Sequence, residues 1–118
     1  MLLKSTHNMN LYPASFLAIK MGVKTVEMRL NDEKREKIKQ GDYIVFTNTE
    51  TKEELLVIVE KRVVYPSFRE LYSEHDKISI GYKKDEVANP DDMLAYYTEE
   101  NIKKYGALAL EVSPVHKY

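Results

Sequence analysis

Within Gly22–Leu30, apolar and polar residues alternate from Thr25 onward: Val26, Met28 and Leu30 share one parity, and Thr25, Glu27 and Arg29 share the other. A strand sends successive side chains to opposite faces, so the run predicts a strand with one apolar face and one polar line. Lys24 stands at its mouth. The last apolar run, Ala107–Val112, alternates in the same way through Leu108, Leu110 and Val112. Two further runs are richer in β-branched and aromatic residues than in alternation. Tyr43–Thr47 predicts a short strand, and 54–65 predicts a long one. A strand of that length in a small domain bends, as it does where a sheet closes on itself. A weaker pattern over 2–10 predicts a first strand.

Helical spacing fills the intervals. Pro13 suits a first turn and Gly22 a stop, and Phe16, Ile19 and, just past the stop, Val23 recur at helical spacing, so a two-turn helix delivers the chain into the 24–30 strand. Asn31–Lys39 is mostly charged and anchored only by Leu30 and Ile38. Its capping residues and acid-before-base order predict a short surface helix. Gln40–Asp42 reads as a turn and Asn48–Glu53 as a hairpin connection. After Pro66, Ser67 and Glu70 form a capping box for a helix packed by Phe68, Leu71 and Tyr72. Residues 75–90 carry turn and loop signals. Asn89-Pro90 opens a helix bearing Met93, Leu94 and Tyr97, and Thr98 caps another that Gly106 stops. No internal repeat is present.

The order is strand, helix, strand, short helix, two or three strands, two or three helices, strand. It departs from the alternation of a doubly wound sheet. It predicts an α+β fold: a small, mostly antiparallel barrel with short helices over one side and one end. The 118 residues suit a single domain, expected to span 1–118.

Composition narrows the chemistry. Cysteine is absent, which removes disulfides and thiolate metal sites and fits a cytoplasmic protein. No apolar run approaches the roughly 18–20 residues that span a bilayer, and Met1–His7 lacks the apolar core of a secretion signal. The net charge of −1 argues against a generic polyanion binder. The charge is unevenly placed: Lys20–Lys39 sums to +3, whereas Asp85–Asn101 holds six acids and no base. One part of the surface suits phosphate and another repels it; ordinary surface salt bridging explains the same pattern.

The histidines, His7, His75 and His116, are far apart, so no metal is expected. The four glycines are scattered, so there is no phosphate-binding loop, and the serines carry no local nucleophile signature. Lys24, Thr25, Glu27 and Arg29 remain. A cation, a hydroxyl, a carboxylate and a guanidinium within six residues make a recognition site, an acid/base site or a salt-bridged strand face. In the acid/base reading Glu27 moves a proton and Lys24 stabilises an oxyanion. The nine tyrosines offer stacking surfaces for bases or edges for the core.

The pattern Gly22-x-Lys24-Thr25-x-Glu27-x-Arg29-Leu30, followed by Gly41-Asp42-x-Ile44-x-Phe46, resembles the ASCH domain. His7-x-Met9-x-Leu11, Phe16-x-x-Ile19-Lys20 and Tyr105–Glu111 fit its small stand-alone bacterial members. The resemblance covers nearly the whole chain. It implies a PUA-like β-barrel with flanking helices and a cleft where Lys24, Glu27 and Arg29 gather to meet RNA or a nucleotide-like ligand. It implies no cofactor, and it names no protein partner. Lys20, Lys24, Thr25, Glu27 and Arg29 are the expected binding residues. Arg29 and Lys20 would meet phosphate or a base edge, and Glu27 would accept from an exocyclic amine. Some members are enzymes, one branch hydrolysing the acetyl amide of acetylated cytidine and another described as a ribonuclease. On that alternative, Lys24 and Glu27 are the catalytic pair of a small hydrolase. The amidohydrolase branch uses a Lys, a Thr in this strand and a later Glu. Lys24 matches the Lys, but Glu27 stands where the Thr aligns, and the later acid falls near Glu74 or Asp76. A third reading is a protein-interaction domain with an incidental charged face.

Overall fold

The computed structural model describes residues 4–116. Five strands form one sheet: β1 (Thr6–Leu11), β2 (Val26–Leu30), β3 (Tyr43–Asn48), β4 (Glu54–Tyr65) and β5 (Ala107–Pro114), in the order β1-β3-β4-β5-β2. β1 runs parallel to β3, and every other neighbouring pair is antiparallel. The sheet curls into a half-barrel with short helices around it, the α+β architecture that the element order predicts. β1 and β2 are its two edges. They run antiparallel to each other across an open seam, and α1 (Pro13–Lys20) links them.

The curl has an identifiable cause. β4 pairs with β3 through its first half and with β5 along most of its length, and its register slips between Val59 and Lys61. The extra residue, Glu60, is a bulge, and a bulge bends its strand and strengthens its twist. The β3–β4 hairpin is held by Asn48, whose side-chain oxygen accepts from the backbone N–H of Glu50 and Thr51.

Two cores lie on the two faces of this sheet. On the inner face, Met9, Leu11, Ile44, Phe46, Val57, Val59, Leu108, Leu110 and Val112 pack with Phe16 and Ile19 of α1 and with Ile38. On the outer face, Val26, Leu30, Ala107 and Ala109 meet Phe68 and Leu71 of α3 (Phe68–Glu74), together with Ile80 and Met93. The alternation of β5 therefore separates two apolar faces, with leucines inward and small alanines outward where α3 approaches. α1 opens on Pro13 without a side-chain cap, whereas the later helices are capped. Asp32 accepts from Arg35 N–H at the head of α2 (Glu33–Glu36), Ser67 from Glu70 N–H at α3, and Thr98 from Asn101 N–H at α4 (Glu99–Tyr105).

Some expectations need correction. α1 ends at Lys20, so Val23 lies beyond it and is exposed rather than packed. Asn89-Pro90 opens a 3₁₀ turn, Pro90–Ala95, not an α-helix. Met93 is buried there, Leu94 is exposed and Tyr97 follows the turn. The first strand runs Thr6–Leu11; the earlier part of its predicted range includes residues 2 and 3, which lie outside the described residues.

Candidate functional site

The register decides where the polar line of β2 points. Glu27 pairs with Leu110 and Arg29 with Leu108, and cross-strand partners share a face. Glu27 and Arg29 therefore face the inside of the half-barrel, beside the seam, and not bulk solvent. One carboxylate there holds two cations. Lys24 Nζ is 2.8 Å from Glu27 Oε1, and Arg29 Nε donates to Glu27 Oε2 at 2.7 Å. The side chains of Lys24, Glu27 and Arg29 are 8%, 5% and 16% exposed, which places the group in the buried regime, where pairing matters most. A plain solvated strand face is excluded.

Neighbouring elements fix the cations. Lys24 Nζ also donates to Ser15 Oγ of α1 at 3.2 Å. Arg29 Nη2 donates to the Asn10 carbonyl of β1 at 2.7 Å, so the guanidinium spans the seam between the edge strands. The 76–82 loop covers Lys24. The Ser79 carbonyl accepts from the N–H groups of both Thr25 and Val26. Gly81 adopts φ +111°, and a β-carbon there would stand 3.2 Å from Lys24 Cδ, so this position suits a residue with no side chain. Tyr72 and Tyr82 join through their hydroxyls at 2.9 Å, and Tyr82 donates to Asp92 at 2.7 Å, tying the end of this loop to α3 and to the 3₁₀ turn.

Burial alone would raise the Glu27 pKa, but Lys24 and then Arg29 outweigh it by charge and hydrogen bonding and hold the carboxyl below its ordinary value. Glu27 is thus ionised at neutral pH, with each oxygen engaged by a cation. Two cations and one carboxylate leave a net positive group that favours an anion. Tyr97 lies close by, its ring stacked on Phe68 with centroids 6.0 Å apart and planes 4° off parallel. Burial raises its hydroxyl pKa, and the charges of Arg29, Glu27 and Arg35 act on it, so it remains a neutral phenol.

The expected residues are not all gathered. Lys24, Glu27 and Arg29 meet. Thr25 is exposed at the start of the strand. Lys20 reaches away to Glu53 of the β3–β4 hairpin, and both are nearly half exposed. Among the described residues, no ion pair or hydrogen bond joins Glu74 or Asp76 to the three. The charge of Glu74 acts on Tyr65, and the Asp76 carbonyl accepts from Ser79. Ser15, Asn10, Gly81 and Tyr97 were not foreseen as neighbours. Ser15 carried a signal, since it lies four residues before the inward-facing Ile19 and shares its helix face. The other three are brought in by tertiary contacts that no local pattern encodes. Among the described residues no cluster of His, Cys, Asp and Glu could hold a metal ion, and no helix is long and apolar enough to cross a membrane.

Known proteins resemble both the sequence and the fold. The hypothetical protein PH0355 is 34% identical, with a TM-score of 0.79, covering 93% of this chain and 99% of its own. PF0455 from Pyrococcus furiosus is 33% identical, with a TM-score of 0.72, covering 95% and 99%. A variant of ZmASCH from Zymomonas mobilis shares the fold at 18% identity, with a TM-score of 0.65, covering 92% of this chain and 70% of its own. No curated protein matches the chain. The family model for the ASCH domain matches residues 9–116, from β1 through β5 and across the whole Lys24–Glu27–Arg29 group. With its half-barrel and flanking helices, the chain belongs to the ASCH domain family, of PUA-like fold.

Proposed function

We propose that this protein binds RNA or a nucleotide, modified or not, at the Lys24–Glu27–Arg29 group on the seam of the half-barrel. The observation that carries the reading is the buried triad, in which one ionised carboxylate fixes two cationic heads at the open edge of the sheet. Holding charges in place before a ligand arrives reduces the ordering cost of binding. The N–H groups of Arg29 and Lys24 that Glu27, Asn10 and Ser15 do not occupy are the donors offered to phosphate oxygens or a base edge. Glu27 acts as their anchor. Its lowered pKa and double engagement make it a poor proton shuttle, which favours binding over general-base catalysis. Membership of the ASCH family, with its PUA-like fold, supports RNA as the ligand class.

One contact favours a second reading, a hydrolase acting on a nucleoside amide or on RNA. The Ser15 hydroxyl lies 3.2 Å from Lys24 Nζ, where a hydroxyl and an ammonium flank the position of a reacting carbonyl or phosphoryl oxygen.

Incubation with a panel of modified nucleosides including acetylcytidine, and with a short structured RNA, separates the two. Product is read by mass spectrometry and binding by titration. The binding reading expects a complex without product, weakening with salt and lost in Lys24→Ala. Product that forms with the parent and disappears in a folded Lys24→Ala protein establishes the hydrolase. No binding and no turnover refutes both.

A further inference from the structure

The seam continues beyond Arg29. β2 runs antiparallel to β1 across it, so from Lys24 toward Arg29 the facing strand is read backward, from α1 to Asn10 and then to Asn8. There the seam opens into a recess of ≈ 190 Å³ between β1 and α2, lined by His7, Asn8, Met9, Lys34 and Ile38. Met9 and Ile38 are buried and form its apolar floor, whereas Asn8 and Lys34 are exposed at its rim. A step of two residues along a strand is about 7 Å, so the recess adjoins the Arg29–Asn10 contact.

Its polar parts are held in place. His7 Nε2 lies 2.9 Å from Asp42 Oδ2. The Asp42 carboxylate also accepts the backbone N–H of Lys39 at 2.9 Å and of Ser5 at 3.3 Å. Asp42, a buried acid beside the recess, is thereby occupied by donors, and Lys34 stands at the mouth as a cation outside the ion pairs formed among the described residues. β1 is an edge strand, bonded to β3 on one side. Its Asn10 carbonyl faces the seam, as the bond from Arg29 shows, and the backbone of Asn8, two residues away, faces the same side. Lys24, Arg29 and Lys34 therefore follow one another along a single seam, with an apolar floor beside the last.

We infer that the recess between β1 and α2 is a second subsite, which takes the neighbouring nucleotide of a single strand, its phosphate against Lys34 and its sugar or base over Met9 and Ile38. This rests on the proposed binding at the triad and extends it: the ligand is an oligonucleotide lying along the seam, not a free nucleoside. The recess is smaller than a typical pocket for a whole small-molecule ligand, as suits one part of a longer one.

The test compares a mixed-sequence single-stranded RNA octamer with a mixture of the four nucleoside monophosphates, titrated against the parent, Lys34→Glu, Lys24→Ala and Lys103→Glu. Lys103 is an exposed cation of α4 outside the seam, and its variant controls for net charge. The octamer is expected to bind the parent at least ~10-fold more tightly than the monophosphates, through one added phosphate contact and the apolar floor. Lys34→Glu is expected to remove most of that advantage, to reduce the salt slope by about 0.7, and to leave monophosphate affinity unchanged. Because Lys34 is exposed, the variant should melt with the parent. Lys24→Ala is expected to weaken both ligands. Equal affinity of the parent for octamer and monophosphates, or an octamer loss in Lys103→Glu as large as in Lys34→Glu, overturns the second subsite while leaving the triad reading intact. Failure of the parent to bind either probe overturns the triad reading and the subsite with it.

Discussion

Replacing Glu27 with glutamine tests whether the triad is buried and coupled as the geometry implies. The substitution keeps shape and volume and removes one charge. It leaves the Lys24 ammonium and the Arg29 guanidinium, 8% and 16% exposed, without the carboxylate that joins them. One amide oxygen can accept from one cation, while the amide nitrogen is set against the other. Removing one partner of a buried ion pair typically costs about 3–5 kcal/mol. For a chain of this size that corresponds to a melting temperature lower by roughly 10–20 °C, or a urea midpoint lower by about 1.5–2.5 M. The assay is urea unfolding followed by circular dichroism and tyrosine fluorescence, since the chain has nine tyrosines and no tryptophan. The pH dependence gives a second readout. The folded-state pKa of Glu27 lies below its ordinary 4.5, so its contribution is present above pH 4.5 and is lost as pH falls through the folded value. The gap between parent and Glu27→Gln is therefore full at pH 7 and narrows under acid. A loss below about 1 kcal/mol at pH 7, the range of exposed pairs, or a gap that does not change with acid, refutes the buried coupling. A companion variant, Lys24→Met with Glu27→Leu, removes the two most buried charges of the three and leaves Arg29 with its Asn10 contact. It is expected to recover part of the stability lost by Glu27→Gln, because apolar replacement of a buried pair is often neutral or better.

The remaining predictions address the surroundings. Gly81→Ala puts a β-carbon 3.2 Å from Lys24 Cδ at φ +111°; it should cost about 1–2 kcal/mol and lower nucleotide affinity by displacing Lys24, checked by melting and titration. Lys20→Ala breaks only an exposed pair with Glu53, so its stability should stay within about 1 kcal/mol of the parent and its nucleotide affinity should be unchanged. Phe68→Ala empties a buried position under Tyr97 and should cost about 3–5 kcal/mol in urea unfolding. The Asp42 pKa is held below 3.8: burial would raise it, and the bonds from His7, Lys39 and Ser5 outweigh that. The stability gap between parent and Asp42→Asn should therefore be present at neutral pH and close as pH falls below 3.8, checked by urea titrations across that range.

The sequence by itself determined most of the elements, because their causes are local, although the turn at Pro90–Ala95 is 3₁₀ where the pattern predicts an α-helix. The β-branched run of 54–65, the Ser67 and Thr98 caps and the Asn48–Glu53 connection each act within a few residues, and all four lie where the pattern predicts. It also determined the curl, since a twelve-residue strand in so small a fold has to bend, and β4 does so at its bulge. The motif around Lys24, Glu27 and Arg29 was enough to indicate the family. What the alternation in β2 left open was which face of that strand is solvated. Only the pairing with β5 decided it, by setting Glu27 beside Leu110 and Arg29 beside Leu108 on the inner face. The partners that give the cluster its chemistry were beyond local pattern as well. Asn10 comes from the opposite edge of the sheet, and Gly81 from a loop more than fifty residues along the chain. Side-chain periodicity reports which residues share a face. Whether that face meets water, a core or a second cation depends on long-range packing, and that packing turned a line of charged residues into a buried triad.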